Sequence, residues 1–366
     1  MTKPNYIHPK EIDKAREALW REHQGTNAVS ASLCNLVIYS KKNSRETYLQ
    51  KLARNIIRKF PCRMVMISEA VDNKESYLKT FVSDLKPDNG NSSLYCDMIN
   101  FEVSGAHRER IPFVVFPNLL ADLPIFLLWG DDPSKNDPIA TQLENFATRT
   151  VFDSEAAESM TDFAKTLLKS HETIASDIGD LNWARLSPWR ALFAHTFNTP
   201  NKFKSIHEAK EIRIVYNVME TDQFCHHKIQ ATYFQAWIAT KLGWEFESSL
   251  GLKEELCFKY KSQFGPVTIT LIPGKNDQVL PGRILKLEIF SYHNEHMSFE
   301  KNKLNPQQLV IRHSTYQHCE MPAYYLLDKE IAGKSMIQEI YSQGVQSSFL
   351  DVLKLVAQYQ QGMICS

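Results

Sequence analysis

Leu36-Val37-Ile38-Tyr39, followed after a polar stretch by Arg63-Met64-Val65-Met66-Ile67, decides how the first half of this chain folds. Both runs are short, apolar and uninterrupted, the pattern of strands buried on both faces. Between them, over about 44–59, Leu49, Leu52, Ile56 and Ile57 fall on one helical face. Strand, helix, strand in that order predicts a βαβ unit and a parallel sheet. Working outward, strands are expected at 77–82, 94–103, 125–129 and 148–152, and helices at 9–23, 106–120, 137–146 and 154–173. The first half therefore reads as a three-layer α/β domain with a mostly parallel sheet.

The second half follows a different rule. Val267-Thr268-Ile269-Thr270-Leu271 alternates strictly, Leu285, Leu287 and Ile289 alternate with Lys286 and Glu288, and Ile212–Tyr216 does so in part. Alternation marks antiparallel strands with one wet face. A long helix is expected over 223–242, with Ile229, Tyr233, Ala236 and Trp237 inward and Gly243 as its C-terminal cap. A last helix starts near Ser348, with Asp351 completing a weak capping box. The second domain is thus α+β, with helices on a largely antiparallel sheet. Residues 174–187 read as the joint, which places the domains at 1–186 and 187–366.

With 366 residues, two domains are the default. Forty-two basic residues balance 42 acidic ones, so the chain has no overall basic field of the kind that nucleic acid attracts. The first ten residues lack the apolar core of a signal peptide. The apolar stretch 111–130 contains Pro112, Pro117, Pro124 and Asp122, which speaks against a membrane span. Seven cysteines without a Cys-x-x-Cys pair suit free thiols in a reducing cytoplasm. The thirteen glycines are widely spaced. That spacing excludes Gly-x-Gly-x-x-Gly, the Gly-x-x-x-x-Gly-Lys phosphate loop and the Gly-x-Ser-x-Gly elbow, each of which needs glycines close together. No motif marks a catalytic residue or a cofactor.

The most distinctive stretch is Asp180-Leu181-Asn182-Trp183-Ala184-Arg185-Leu186-Ser187-Pro188-Trp189-Arg190. Trp and Arg are among the residues most enriched at binding hot spots. Ser187 can cap a helix that starts at Pro188. Trp189, Leu192, Phe193 and Phe197 then fall on one face, which assigns Trp189 to the core and leaves Arg190 off that face. Trp183 and Arg185 precede the helix, where periodicity assigns no side, so structural and binding roles both stay open.

This run resembles the signature of the glucose-6-phosphate dehydrogenase assembly protein OpcA family. Other segments resemble that family in the same order: Asn35-Leu36-Val37, Pro61-Cys62-Arg63, Leu119-Leu120-Ala121-Asp122-Leu123-Pro124 with Trp129, Arg149–Ser154, and the helix end Trp237-Ile238-Ala239-Thr240-Lys241-Leu242-Gly243-Trp244. The resemblance covers roughly 30–245. It implies a protein that is not itself an enzyme, binds glucose-6-phosphate dehydrogenase and promotes its active oligomer, supporting the oxidative pentose phosphate pathway and NADPH supply. It also implies partner contacts at Trp183, Arg185, Trp189, Arg190 and Asp122. The family is tied to redox control as well, for which this chain offers no cysteines paired in sequence. The alternative is a sugar-phosphate or nucleotide sensor that uses the α/β domain as a pocket, with Arg185, Arg190 and Asp122 converging; nothing in the sequence supports a particular effector.

Three other constellations have plainer readings. Gly130-Asp131-Asp132-Pro133 is turn chemistry, although Asp131 and Asp132 would stand at a strand's carboxyl end, where ligands gather. Cys225-His226-His227, His293, His296, His313 and His318-Cys319 carry metal-ligand types without metal-ligand spacing, so no metal is expected. His107, Arg108 and Arg110 read as solvated charges beside a helix.

Overall fold

In the computed structural model the two opening runs pair as parallel neighbours, in register from Asn35 opposite Arg63 to Lys41 opposite Glu69. The structure describes residues 5–23, 29–42, 44–57, 60–70, 75–85, 94–221, 226–252, 255–302, 304–327 and 333–360.

The described strands are β1 (Val29–Ser30), β2 (Asn35–Lys41), β3 (Arg63–Ala70), β4 (Tyr77–Leu85), β5 (Leu94–Ser104), β6 (Ile125–Trp129), β7 (Arg149–Phe152) and β8 (Asp177–Asp180), then β9 (Ala209–Asn217), β10 (Glu245–Leu252), β11 (Glu255–Ser262), β12 (Gly265–Gly274), β13 (Ile284–Ser291), β14 (His296–Lys301), β15 (Gln308–Ser314) and β16 (Ala323–Leu326). The helices are α1 (Ile12–His23), α2 (Ser44–Ile57), α3 (Ile111–Val115), α4 (Pro138–Glu144), α5 (Met160–Thr173), α6 (Leu181–Arg185), α7 (Ser187–Thr196), α8 (Pro200–His207), α9 (Ile229–Lys241), α10 (Lys334–Tyr341) and α11 (Ser347–Val356). The chain divides into two compact units. One comprises Met1–Ala156, Ser170–Leu181 and Ile331–Gly344; the other comprises Ala157–Lys169, Asn182–Glu330 and Val345–Ser366.

The first unit carries the mostly parallel sheet, ordered β1-β5-β3-β2-β6-β7-β8, with β4 antiparallel beside β5. Numbered among themselves from β2 onward, its parallel strands run 3-2-1-4-5-6, the order of a doubly wound dinucleotide-binding sheet. β2 and β3 are buried almost throughout because helices cover them, α2 lying on β2. The 174–187 segment, expected as a joint, holds the sixth of these strands as well as the passage from the first unit to the second, between Leu181 and Asn182. β8 reads Asp-Ile-Gly-Asp, with a single large apolar residue, so no run announces it. Its Gly179 lets the Glu339 carboxylate approach closely: a Cβ there would lie 2.2 Å from Glu339 Oε2, so that side chain would have to shift.

The second unit carries the sheet β10-β11-β12-β9-β13-β14-β15-β16, antiparallel except where β12 meets β9. Alternation puts Val267, Ile269, Leu271, Ile212, Ile214, Leu287 and Ile289 in the core. α9 begins at Ile229, and 223–225 of the expected helix lie outside the described residues. It is buried on every side over Ile229–Ala239, rather than on the one face expected. Its end is capped as expected: Gly243 has φ +66°, its N–H bonds to Thr240 O, and Trp244 N–H bonds to Ala239 O. Two helix starts differ by one residue from the capping signals. Ser187 is already helical, because Leu186 before it is in the right-handed region and continues from α6. α11 starts at Ser347, one residue after Gln346, whose side chain is held elsewhere and does not cap it.

Candidate functional site

The run 180–190 begins in the first unit, where Asp180 accepts the Ser154 N–H at 3.0 Å. From Asn182 onward it belongs to the second unit and folds into a compact corner, α6 leading directly into α7. Trp183, on α6, is 1% exposed. Its ring lies 5.3 Å from Phe349 and meets Tyr233 edge-on, and its Nε1–H donates to Gln346 Oε1 at 3.0 Å. Arg190, two turns away in sequence, folds back so that its guanidinium sits 3.6 Å over the Trp183 ring and donates to Trp183 O at 2.6 Å. Trp189 is buried against Phe234. Arg185 donates to Asn182 Oδ1 at 2.8 Å, and the same oxygen accepts from Gln230, whose own oxygen accepts from Arg283. The corner thus buries both tryptophans and leaves Arg185 and Arg190 half-buried and fixed in direction. Asp122 belongs to the first unit and is exposed in the turn before β6.

Gln230, Arg283 and Gln346 complete this corner without having been singled out by the sequence, together with Phe349, which the periodicity of the last helix assigns to its buried face. Gln230 did carry a signal: with Gln235 it is a polar residue inside an otherwise apolar helix. Gln235 is bonded to Tyr260 and Tyr359 at 2.7 and 2.5 Å, and burial raises the Tyr260 pKa well above the ordinary tyrosine value.

The other constellations resolve locally. Asp132 caps a turn by accepting the Ser134 N–H at 2.9 Å, and Asp131 pairs with Lys41. The histidines do not converge: His293 faces Glu208, His296 faces Glu288, and His313 faces Glu320 at 2.9 Å. Among the described residues no group of three His, Cys, Asp or Glu is placed to hold a metal, and Cys225 lies outside them. Arg108 departs from its expected solvated state and is paired with both Glu69 and Asp137. Cys34, Cys62 and Cys96, distant in sequence, meet at the start of three neighbouring strands because parallel pairing aligns their registers. All are buried free thiols, and the hydrogen bond with Cys34, together with burial, raises the Cys62 pKa. No described helix is long and apolar enough to cross a membrane.

The geometry can be set beside known proteins. Residues 53–169 match the model of a glucose-6-phosphate dehydrogenase subunit N-terminal domain, and 176–286 that of the corresponding C-terminal domain, both of the OpcA type. Proteins provisionally named OxPP cycle protein OpcA from Nostoc punctiforme and Synechococcus elongatus are 26% and 27% identical over 200 and 199 residues. Each match takes in 53% of this chain but only 41% and 42% of the relative, so the chain matches about two fifths of their length. Among solved structures, levoglucosan dehydrogenase with NADH (TM-score 0.50, 11% identity, 88% of this chain and 94% of that one) and an oxidoreductase from Erwinia carotovora (TM-score 0.50, 9% identity, 88% and 97%) share the fold. At such identity they speak for architecture alone. The two domain models follow one another in the expected order and together cover more than half of the chain, and so it belongs to the OpcA family of glucose-6-phosphate dehydrogenase subunit proteins.

Proposed function

We propose that this protein is a non-enzymatic cytoplasmic partner of glucose-6-phosphate dehydrogenase that favours the enzyme's active oligomer and so supports the oxidative pentose phosphate pathway and NADPH supply. The observation that carries this reading is the match of both domains, in order, to models described as a dehydrogenase subunit. The physics asked of such a partner is modest. Binding the active form more tightly than the inactive one shifts the population, and a tenfold shift takes about 1.4 kcal/mol.

Within this reading the corner 180–190 presents the contact. Trp183 and Trp189 act from beneath as a rigid bed, while Arg185 and Arg190 face the partner in fixed directions and lose little side-chain freedom on binding. Asp122 contributes from its exposed turn in the first unit.

The test mixes the protein with the dehydrogenase from the same organism and follows light scattering and NADPH production on the same samples. A larger species with a raised rate is expected. Arg185→Ala should weaken the complex by about tenfold or more, and the melting temperature of the variant, taken alongside, separates a lost contact from a loosened corner. Two unchanged species with an unchanged rate would refute the reading.

A further inference from the structure

The first sheet has the strand order of a dinucleotide-binding domain, and such sheets take their ligand in the crevice where the strand order reverses, here between β2 and β6. A dinucleotide needs three things there: a glycine-rich turn that lets the pyrophosphate approach the backbone, an open helix start to receive it, and a carboxylate at the end of the next strand for the ribose. Each can be checked against the side chains present.

The turn from β2 into α2 passes from Lys41 to Ser44 and contains no glycine. The neighbouring ladders continue past the strand ends: Lys42 N–H bonds to Glu69 O at 2.7 Å and Gly130 N–H to Tyr39 O at 2.9 Å. Between β6 and α2 the space is filled, since a Cβ on Gly130 would lie 2.6 Å from the Leu49 side chain. Lys41 and Asp131 form an ion pair across the reversal point itself. At the helix start, Arg45 is 3% exposed, stacked on Tyr48 and paired with Asp153 after β7. The carboxylate at the end of β3, Glu69, is spent on internal bonds: the Tyr39 hydroxyl and Arg108 donate to it, and Arg108 also holds Asp137. Tyr39 in turn stacks on Trp129 with ring centres 4.0 Å apart. Burial, then the bond to Glu69, raises the Tyr39 pKa far above the ordinary tyrosine value, so the phenol stays a donor. The rim gathers Glu69, Asp131, Asp132, Asp137 and Asp153 against Lys41, Arg45 and Arg108. A polyanionic ligand would have to displace these internal pairs.

We infer that the chain's own side chains occupy the dinucleotide crevice as a clasp of ion pairs, so that this domain keeps the doubly wound architecture without taking NAD(H) or NADP(H). The clasp supplies inside the protein the charge neutralisation that a cofactor and its loop would otherwise bring. This inference stands apart from the partnership proposed above, because a domain that binds no nucleotide can still bind a protein.

The experiment titrates NAD⁺, NADP⁺ and NADPH into the full chain by calorimetry, with energy transfer from tryptophan to NADPH as a second readout. No saturable signal is expected up to about 1 mM, the upper end of ordinary enzyme–substrate affinities. The melting temperature should also stay unmoved by the nucleotides. In parallel, Arg108→Ala and Lys41→Ala are melted without ligand, and each should fall by about 2 °C or more. Saturable binding of any of the nucleotides would overturn the inference. So would variants that melt with the native chain, because the rim would then not be a clasp. The light-scattering assay with the dehydrogenase reads neither outcome, so the two proposals fail separately.

Discussion

Arg45, Arg108 and Arg149 in the first unit each face carboxylates: Asp153; Glu69 and Asp137; and Glu339, at 2.7 Å in the last case. In the second unit Arg190 lies on the face of Trp183, and Arg185 and Arg283 meet the neutral amide oxygens of Asn182 and Gln230. The difference concerns how each guanidinium is held. An arginine closed against a buried carboxylate has its charge met inside the protein. A guanidinium laid on an aromatic ring and bonded to amide oxygens is held in direction by these contacts. The first arrangement holds a sheet edge shut, and the second suits an anchor for a partner. Variants that remove one member from each arrangement test the distinction.

The largest effect should follow from Asp153→Ala. Arg45 would remain at 3% exposure without its main carboxylate, and stranding a buried charge costs about 3–5 kcal/mol. A lower urea midpoint with an unchanged slope is the expected result. A loss under about 1 kcal/mol would mean that water reaches the pair and that the rim is not desolvated.

Trp183→Phe should cost less. It keeps a ring over Phe349 and under Arg190 but leaves Gln346 Oε1 without the indole donor, a loss of about 1–3 kcal/mol for a buried partner left unmet. Combining it with Gln346→Leu in a double-mutant cycle should recover part of that loss. Full additivity would show that the bond does not hold the corner.

How far these regions could be read from sequence follows from how their contacts are made. The buried strands β2, β3 and β6 and the alternating β9, β12 and β13 were legible because each carries its burial pattern in consecutive residues. β8 was not, since a strand with one isoleucine and a glycine is specified by Glu339 and Arg149 reaching it from far along the chain. A long-range partner also explains why the last helix has no side-chain cap at its start. Gln346 answers to Trp183, 163 residues away, and no local capping rule registers that. Trp189 was assignable to the core by periodicity, whereas the burial of Trp183 depended on Phe349 and Tyr233. Arg108 appeared solvated because neither Glu69 nor Asp137 is near it in sequence.

The smallest effect is also the one that isolates charge from shape. Glu144, at the end of α4, is 6% exposed and accepts a hydrogen bond from the Ser170 hydroxyl at 2.9 Å. Burial raises its pKa above the ordinary 4.5, with the Ser170 bond partly opposing the shift. Its native carboxyl therefore holds its proton to higher pH than the unfolded one does. Below the unfolded value both states are protonated and the site costs nothing; as pH rises through 4.5 and past the native value, the folded state pays an increasing penalty. Glu144→Gln keeps an oxygen for Ser170 and cannot ionise. The variant should melt above the native chain at pH 7, and the gap should close as pH falls toward 4. Superimposable melting curves from pH 4 to 8 would place Glu144 with the carboxylates whose charge is met, and would erase its contrast with Asp153.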